Sequence, residues 1–485
     1  MLDVIIIGGG VIGCAIAREL ARWQLQILLL EKTDDVCNGQ SKSNTAIIHG
    51  GYDAKPGTQK ARFNVAGNRM FEATCAALDV PRKWNTSLVV SFGEGGHAEL
   101  EKLRAQGEVN GVPKLSIIGQ AELRAREPNV GRTAQEALLV GTGGIVCPYE
   151  LTVAFAENAA MNGVNFCRNA GVTGIVRIQG GWQVRCGAKT YQTRAIVNAA
   201  GLFSDEINNM VSEDQFHIRP RRGEYYLVDK KYAEVFHAAM FQLPTEMGKG
   251  ILVSPTVDGT VLIGPTAEDI DDKTDTRTTA EGLAKTLQFG RLTWENIPTR
   301  NFITTFSGLR AHSDRDDFIL GEAPDAPLFF NASGVESPGL TSSPAIADYL
   351  AQSVADRLSA QPNERFDPIR KGIPKFREMT SAERAAAIAA NPEYARVVCR
   401  CETVTEAEIR EAIRRPVGAR TMDGIKRRTR AGMGRCQAGF CTPRTLELLC
   451  EELNLSPEQV TKCGGASTLL TGVLFEEGGV PDAKN

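Results

Sequence analysis

An α/β fold is what the sequence predicts: a Rossmann-like nucleotide-binding domain, an antiparallel-sheet α+β lobe and a small cysteine-bearing C-terminal domain. Three observations predict it. The first thirty or so residues run strand, glycine turn, helix, strand; a middle stretch alternates apolar and polar residues with the period of antiparallel strands; and four cysteines stand in two close pairs near the end. At 485 residues the chain exceeds what one core supports, so two or three domains are expected.

Residues 4–7 are a β-branched run without a polar break, which suits a strand buried on both faces of a parallel sheet. Gly8, Gly10 and Gly13 follow with the G-x-G-x-x-G spacing. The first permits the tight turn, the second lets backbone approach a pyrophosphate, and the third lets helix and strand pack closely. Ala15, Ala17 and Leu20 continue as helix, and residues 26–30 form the next parallel strand, which ends on Glu31. A carboxylate there can accept hydrogen bonds from a ribose diol and would repel a 2′-phosphate. An ordinary βα turn is the competing reading, but it seldom supplies the terminal acid as well.

Composition fits a globular enzyme, with 42% hydrophobic and 23% charged residues. The longest apolar run, residues 4–17, is too short to span a bilayer and has no basic segment before it, so neither a signal peptide nor a membrane span is expected. Twelve cysteines without an export signal point to reduced thiols or metal ligands in the cytoplasm, with peripheral association at the inner face of the membrane left open. The chain shows no internal repeat.

Past Glu31 comes a polar, glycine-containing loop with N-x-x-I-I-H-G-G-Y-D and K-P-G-x-x-K-A. Together with the fingerprint and acid, this text resembles the flavoprotein superfamily of D-amino-acid oxidase, and within it the branch of glycerol-3-phosphate dehydrogenase and L-2-hydroxyglutarate oxidase. The resemblance implies FAD on Gly8, Gly10, Gly13 and Glu31, residues 41–46 wrapped round it through Ser41, Asn44 and Thr45, and His49 facing the substrate. His49 lies between two apolar residues and two glycines in a turn-rich loop, which favours a functional over a structural histidine.

Residues 57–78 read as a helix that buries Ala61, Val65, Cys75 and Leu78. Strands at 88–92 and 137–140, with helices near 98–109 and 120–126, are assigned to the substrate lobe. Residues 149–162 are helical, 164–176 return to strands, and Gly180-Gly181 turns a hairpin within 175–186. A buried strand then ends in Ala199-Ala200-Gly201 and opens a helix; this matches the superfamily's second flavin-facing segment, with a packing turn as the alternative. Residues 218–296 read as an antiparallel sheet with helices, folding back at Asp258-Gly259.

The family places this sheet over the flavin. Lys249 and Arg310 match cations that touch substrate there, and an anion entering a partly dry site needs such cations. Solvated surface charge is the alternative for both. Farther on, a strand breaks into Gly334, Ser337, Pro338 and Gly339, and a long helix starts near Thr341. By resemblance, the amides of Gly339, Leu340 and Thr341 point at the flavin pyrimidine, where they would stabilise negative charge, and Ser337 lines the substrate site. No second G-x-G-x-x-G follows a strand, so substrate is expected to reduce the flavin directly.

After a connector at 361–395, Cys399 and Cys401 form C-x-C, and Cys436 and Cys441 form C-x-x-x-x-C. Four thiolates suit iron-sulfur or structural zinc. The spacing and the text MDxxKRRTRAGMGxCQxGFC resemble the bacterioferritin-associated ferredoxin domain, which implies a 2Fe-2S cluster on these four; Cys450 and Cys463 stand outside. Residues 396–444 hold 12 Lys or Arg against 5 Asp or Glu, a balance of +7 in a chain of net −3. Nucleic-acid binding is disfavoured because no aromatic platform interleaves these charges. Offsetting a thiolate-ligated cluster and steering an acidic redox partner are the preferred readings.

The expected domains are FAD-binding at 1–80, 145–215 and 300–360; substrate at 81–144 and 216–299; 2Fe-2S at 396–455; and a tail at 456–485. Joined in this order they resemble the large subunit of anaerobic glycerol-3-phosphate dehydrogenases, which implies further redox subunits and electrons passing toward quinone. The loop text IIHGGYDAKPG is nearer to the single-chain oxidases and hydroxyglutarate enzymes. The expected activity is therefore FAD-dependent oxidation of a small anionic secondary alcohol, glycerol 3-phosphate first, with His49 taking the hydroxyl proton and Lys249 and Arg310 holding the anion. A 2-hydroxyacid dehydrogenase and an amine or opine dehydrogenase subunit remain alternatives.

Overall fold

The computed structural model describes residues 1–93, 95–244 and 250–472. They divide into two compact units, Met1–Lys32 with Val36–Gly372, and Thr33–Asp35 with the chain from Ile373 onward.

The first unit is built on two sheets. In one, the Leu2–Ile7 strand lies between Ile27–Leu30 and Lys189–Asn198, all parallel, with Asn165–Cys167 and Ala326–Ser333 extending the parallel core. Val4, Ile5 and Ile6 are wholly buried, as are Leu29 and Ile196, so layers cover both faces; this is why these strands are apolar without alternation. The Val11–Leu20 helix packs against Pro148–Met161 and Gly339–Leu358, and the latter packs on Gln59–Leu78. Ala61, Val65, Cys75 and Leu78 are the buried stripe expected of Gln59–Leu78, and that helix starts where the Thr58 hydroxyl accepts the Ala61 amide. The hairpin of Gly174–Ile178 and Gly181–Cys186 joins the sheet at its antiparallel edge.

The second sheet runs Glu268–Asp269, Ile218–Val228, Val261–Gly264, Leu252–Pro255, Ala239–Gln242, Ser87–Phe92, Ala134–Val140, Leu115–Gly119, with Phe302–Ser313 on the free side of Ile218–Val228. Its hairpin turns at residues 258–259, where Gly259 takes φ +88°. It departs from a purely antiparallel sheet at one seam, where Ala239–Gln242 runs parallel to Ser87–Phe92. A parallel pair needs a long crossover, and the chain between these strands supplies one by passing through the first sheet. Phe236, Met240, Val253, Ile263 and Trp294 fill the core against this sheet.

In the second unit, Ser381–Ala390, Glu406–Arg414, Met422–Thr429 and Thr442–Leu453 are helices, and Val397–Cys399 pairs with Val404–Thr405. Ile409, Ile413, Ile425, Leu448, Leu449 and Val460 form its core. Capping boxes at Thr380/Glu383 and Thr405/Glu408 open two of the helices, so the stretch expected as connector contains an ordered helix with a legible start signal. Asp35 is completely buried in this unit between Arg427 and Arg428, at 2.6–2.8 Å. Burial alone would raise its carboxyl, but the two guanidinium groups outweigh it and hold it at about 2. The KRRTR run is therefore largely internal: Arg427, Arg428 and Arg430 are 4–6% exposed, and Arg430 pairs with Glu402. Among the described residues no helix is long and apolar enough to cross a membrane.

Candidate active site

The glycine turn and Glu31 meet at the ends of adjacent parallel strands, since Ile7 pairs with Leu30. Gly8 sits at φ +110°, and a Cβ there would lie 2.3 Å from the Ala199 carbonyl; a Cβ on Gly13 would lie 1.9 Å from the Gly8 carbonyl. Only hydrogen fits at either position. Gly10 begins the Val11–Leu20 helix without a side-chain cap, and the Ser41 hydroxyl accepts the Val11 amide at 2.9 Å. The Gly9 amide donates to Glu31 Oε2 at 2.7 Å, which fixes the carboxylate beside the turn. Asn44 braces the following loop by donating to the Gln40 and Ser41 carbonyls and accepting from the Ala46 amide, while Thr45 is half-buried beside it. Gly201 takes φ +58° just past the end of Lys189–Asn198, with open space where a Cβ would be. These residues form a cradle at one edge of the parallel sheet, a glycine-turn helix N-terminus with an acid next to it, and they fit a dinucleotide.

His49 is 6% exposed and held on several sides. Its amide donates to Thr341 Oγ1 at 2.8 Å, its carbonyl accepts from Asn64 and Asn68, and its ring tilts against Phe241. Nε2 lies 3.4 Å from the Ser337 hydroxyl. Thr341 also donates to the Ile47 carbonyl, so its side chain positions His49 and leaves only its backbone for a cofactor. In the first turn of Gly339–Leu358, the Gly339 amide is taken by the Glu336 carbonyl and the Ser342 amide by the Pro338 carbonyl. Leu340 and Thr341 thus supply the first-turn amides open to a ligand.

Arg310 lies on Phe302–Ser313, directly opposite Arg221 of Ile218–Val228, and His312 lies opposite Arg219. Strand alternation places Tyr225, Gly223, Arg221, Phe306, Gly308, Arg310 and His312 on one face. Gly223 and Gly308 are paired at its centre, and a Cβ on Gly308 would meet the Ser43 carbonyl at 2.0 Å, so this face is pressed onto the loop that carries Ser41 and Asn44. Arg310 is half-buried; it donates to the Thr266 carbonyl at 3.4 Å and neighbours the Tyr225 hydroxyl. Burial pushes that phenol up, and the guanidinium partly opposes the shift. Arg221 is engaged by Asp269 at 2.6 and 3.2 Å, whereas Arg310 has no carboxylate partner among the described residues. Lys249 lies outside the described residues.

Between His49 and this strand face sits Glu336, which sequence reading passed over. Its Oε1 takes Lys60 Nζ at 2.8 Å and contacts His312 Nδ1 at 3.0 Å, and the next residue is Ser337. Burial would raise the carboxyl, but the His312 hydrogen bond and the Lys60 ammonium hold it down at about 2. Lys60 is the second lysine of K-P-G-x-x-K-A, the one signal that could have drawn attention to it.

In the second unit, Cys399 is hydrogen-bonded to Cys441 and Cys401 to Cys436. The bond from Cys441 lowers the Cys399 thiol to about 6. Gly434 packs so closely that a Cβ would lie 2.3 Å from Cys401 Cβ. Among the described residues no three His, Cys, Asp or Glu side chains are grouped to hold one metal ion. Thiols brought together two and two suit a binuclear cluster, with two ligands on each iron.

Comparison with known proteins agrees with this geometry. Residues 3–353 match the family model described as FAD dependent oxidoreductase, and residues 397–451 match that of the BFD-like [2Fe-2S] binding domain. The glycerol 3-phosphate dehydrogenase of Caloramator mitchellensis is 47% identical over 98% of this chain and 100% of its own. The glycerol 3-phosphate oxidase of Mycoplasma pneumoniae is 31% identical over 74% of this chain and 96% of its own. A solved structure of dithionite-reduced L-α-glycerophosphate oxidase from Mycoplasma pneumoniae with FAD bound superposes with a TM-score of 0.72 at 29% identity, covering 77% of this chain and 99% of that one. This chain therefore belongs to the FAD-dependent oxidoreductase family of D-amino-acid oxidase type, with a C-terminal 2Fe-2S-binding domain joined to its flavin fold.

Proposed function

We propose that this protein oxidises the secondary hydroxyl of glycerol 3-phosphate and passes the electrons to a further redox protein. The observation that carries this reading is the identity to the Caloramator glycerol 3-phosphate dehydrogenase over nearly the full length of both chains. Arg310 supports it, because a half-buried guanidinium without a carboxylate partner among the described residues suits a phosphate. Bound FAD supplies a two-electron acceptor and the 2Fe-2S cluster a one-electron exit.

His49 is read as the base. A substrate hydroxyl placed against Nε2, beside the Ser337 hydroxyl that already faces it, gives its proton to the imidazole. Thr341, Asn64 and Asn68 hold the backbone of His49 and Phe241 packs against its ring, which limits the reorientation needed at the moment of reaction. Arg310 is read as the phosphate anchor, with Lys249 as its partner, and Glu336 keeps His312 and Lys60 engaged beside the site. Helix N-terminal amides at Leu340 and Thr341, with the glycine turn and Glu31, are read as the FAD contacts.

The test is anaerobic mixing of the purified protein with glycerol 3-phosphate, L-2-hydroxyglutarate, lactate or glycine, followed by flavin absorbance. Glycerol 3-phosphate is expected to bleach the flavin fastest. Bleaching by L-2-hydroxyglutarate with glycerol 3-phosphate inert would replace the substrate, and bleaching by glycine alone would overturn the alcohol reading.

A further inference from the structure

Phe440 is 85% exposed, although it immediately precedes the cluster ligand Cys441. Val397, two residues before Cys399, is 43% exposed. Between them runs a groove of about 380 Å³ lined by Arg396, Val397, Val398, Arg400, Glu406, Phe440 and Arg444. Its walls thus flank the segments that carry the cysteines. Cys401 itself is exposed.

The lining of this groove carries three arginines and one glutamate. Glu406 is buried and is shared by Arg396, Arg410 and Arg444, so its carboxylate is already committed inside the unit. Arg400 stands between Cys399 and Cys401, is exposed, and makes no ion pair among the described residues. The arginines of the KRRTR run are not part of this surface, because Arg427, Arg428 and Arg430 are buried against Asp35 and Glu402. Exposed positive charge next to the cysteines therefore comes from Arg400, between Cys399 and Cys401, and from Arg435, next to Cys436. Arg396, paired with Glu406, and Arg444, paired with Glu406, Glu447 and Glu451, complete the rim round an aromatic and a valine side chain. An apolar centre with an aromatic anchor and an arginine rim has the make-up of a protein-docking site.

We infer that this groove is where the electron acceptor docks, and that the acceptor is a one-electron redox protein presenting carboxylates round an apolar spot that seats on Phe440 and Val397. The inference rests on the reading of the cluster as the exit for electrons. Each docking moves one electron from the reduced cluster to the oxidised centre of the acceptor; no bond forms or breaks and no proton moves. Two dockings therefore drain the electron pair taken from one substrate molecule.

The experiment uses the holoprotein with the soluble haem domain of cytochrome b5, an acidic one-electron acceptor, and cytochrome c, a basic one. Surface plasmon resonance gives the affinity of each oxidised cytochrome, and anaerobic turnover with glycerol 3-phosphate gives the rate of haem reduction. Arg400→Glu is expected to weaken cytochrome b5 binding and kcat/KM by about tenfold at low salt and to reduce their salt dependence, while cytochrome c gains. Phe440→Ser is expected to weaken binding to a similar degree and to leave the salt dependence intact. In both variants the cluster spectrum and the substrate bleaching of the flavin should match the parent protein. Unchanged cytochrome b5 binding in both variants would overturn the inference, as would salt-dependent self-association of the parent protein that Arg400→Glu abolishes. A Cys436→Ser, Cys441→Ser variant separates the two levels. If it still reduces cytochrome b5 normally, the exit reading itself fails; if it does not, while Arg400→Glu does, only the docking site is wrong.

Discussion

At the scale of single residues, the site depends on side chains whose partners are fixed before substrate arrives. His49→Ala should retain FAD, because the cradle residues are elsewhere, yet lose flavin reduction by about two to four orders of magnitude, as measured by anaerobic stopped flow. Near-normal reduction would move the role to another group, with His312 next in line. Arg310→Ala should weaken substrate binding, and Arg310→Lys should not restore it fully, since an ammonium cannot reproduce a forked contact to phosphate oxygens. Unchanged kinetics in both variants would place Arg310 outside the site. Glu336 makes a prediction about acid stability. Its folded value of about 2 lies below the ordinary 4.5, so its stabilising contribution is present above about pH 4.5 and is lost as pH falls toward 2. The full contribution is on the order of 3 kcal/mol. In denaturant titrations, the gap between the parent protein and Glu336→Gln should therefore be wide at pH 6 and narrow steadily from pH 4.5 to pH 3; a gap independent of pH would mean that the carboxylate is not held ionised.

At the scale of elements, close helix contacts carry the positioning. A Cβ on Gly67 of Gln59–Leu78 would lie 2.1 Å from the Thr341 carbonyl, so these two helices touch backbone to backbone. Gly67→Ala must push the start of Gly339–Leu358 away, and Thr341 holds the His49 amide. Overpacking of this kind costs about 1–3 kcal/mol, and the variant should be less stable and also slower in flavin reduction. Lost stability with an unchanged reduction rate would uncouple that helix from His49. The elements themselves were largely legible in the sequence, because their signals are local: the apolar run and glycines at residues 4–13, the Asp258-Gly259 turn, the buried positions Ala61, Val65, Cys75 and Leu78. The contacts that tune the site were not. Lys60 and Glu336 are 276 positions apart, and Asp35 and Arg428 are 393 apart, so no local pattern couples them. The same distance explains why KRRTR reads as surface charge in the sequence and is mostly internal in the structure: its main counter-charge comes from a different part of the chain. Lys249 falls outside the described residues, and its role stays with the proposal.

At the scale of the whole molecule, one chain combines an FAD-dependent oxidoreductase fold with a 2Fe-2S-binding domain, and in the proposed function the first takes electrons in pairs and the second releases them singly. A pure oxidase hands electrons to oxygen at the flavin and gains nothing from the second domain. Removing the cluster should therefore separate the half-reactions: Cys436→Ser with Cys441→Ser is expected to abolish the cluster's visible signal, keep substrate bleaching of the flavin, and collapse turnover with a protein acceptor while a small dye still reoxidises the flavin. The measurement that bears most directly on the central claim is EPR of the parent protein, frozen after anaerobic reduction with glycerol 3-phosphate alone. The account predicts a bleached flavin together with the signal of a reduced 2Fe-2S cluster. A bleached flavin beside a cluster that stays oxidised, or a protein carrying zinc and no iron after anaerobic purification, would contradict it.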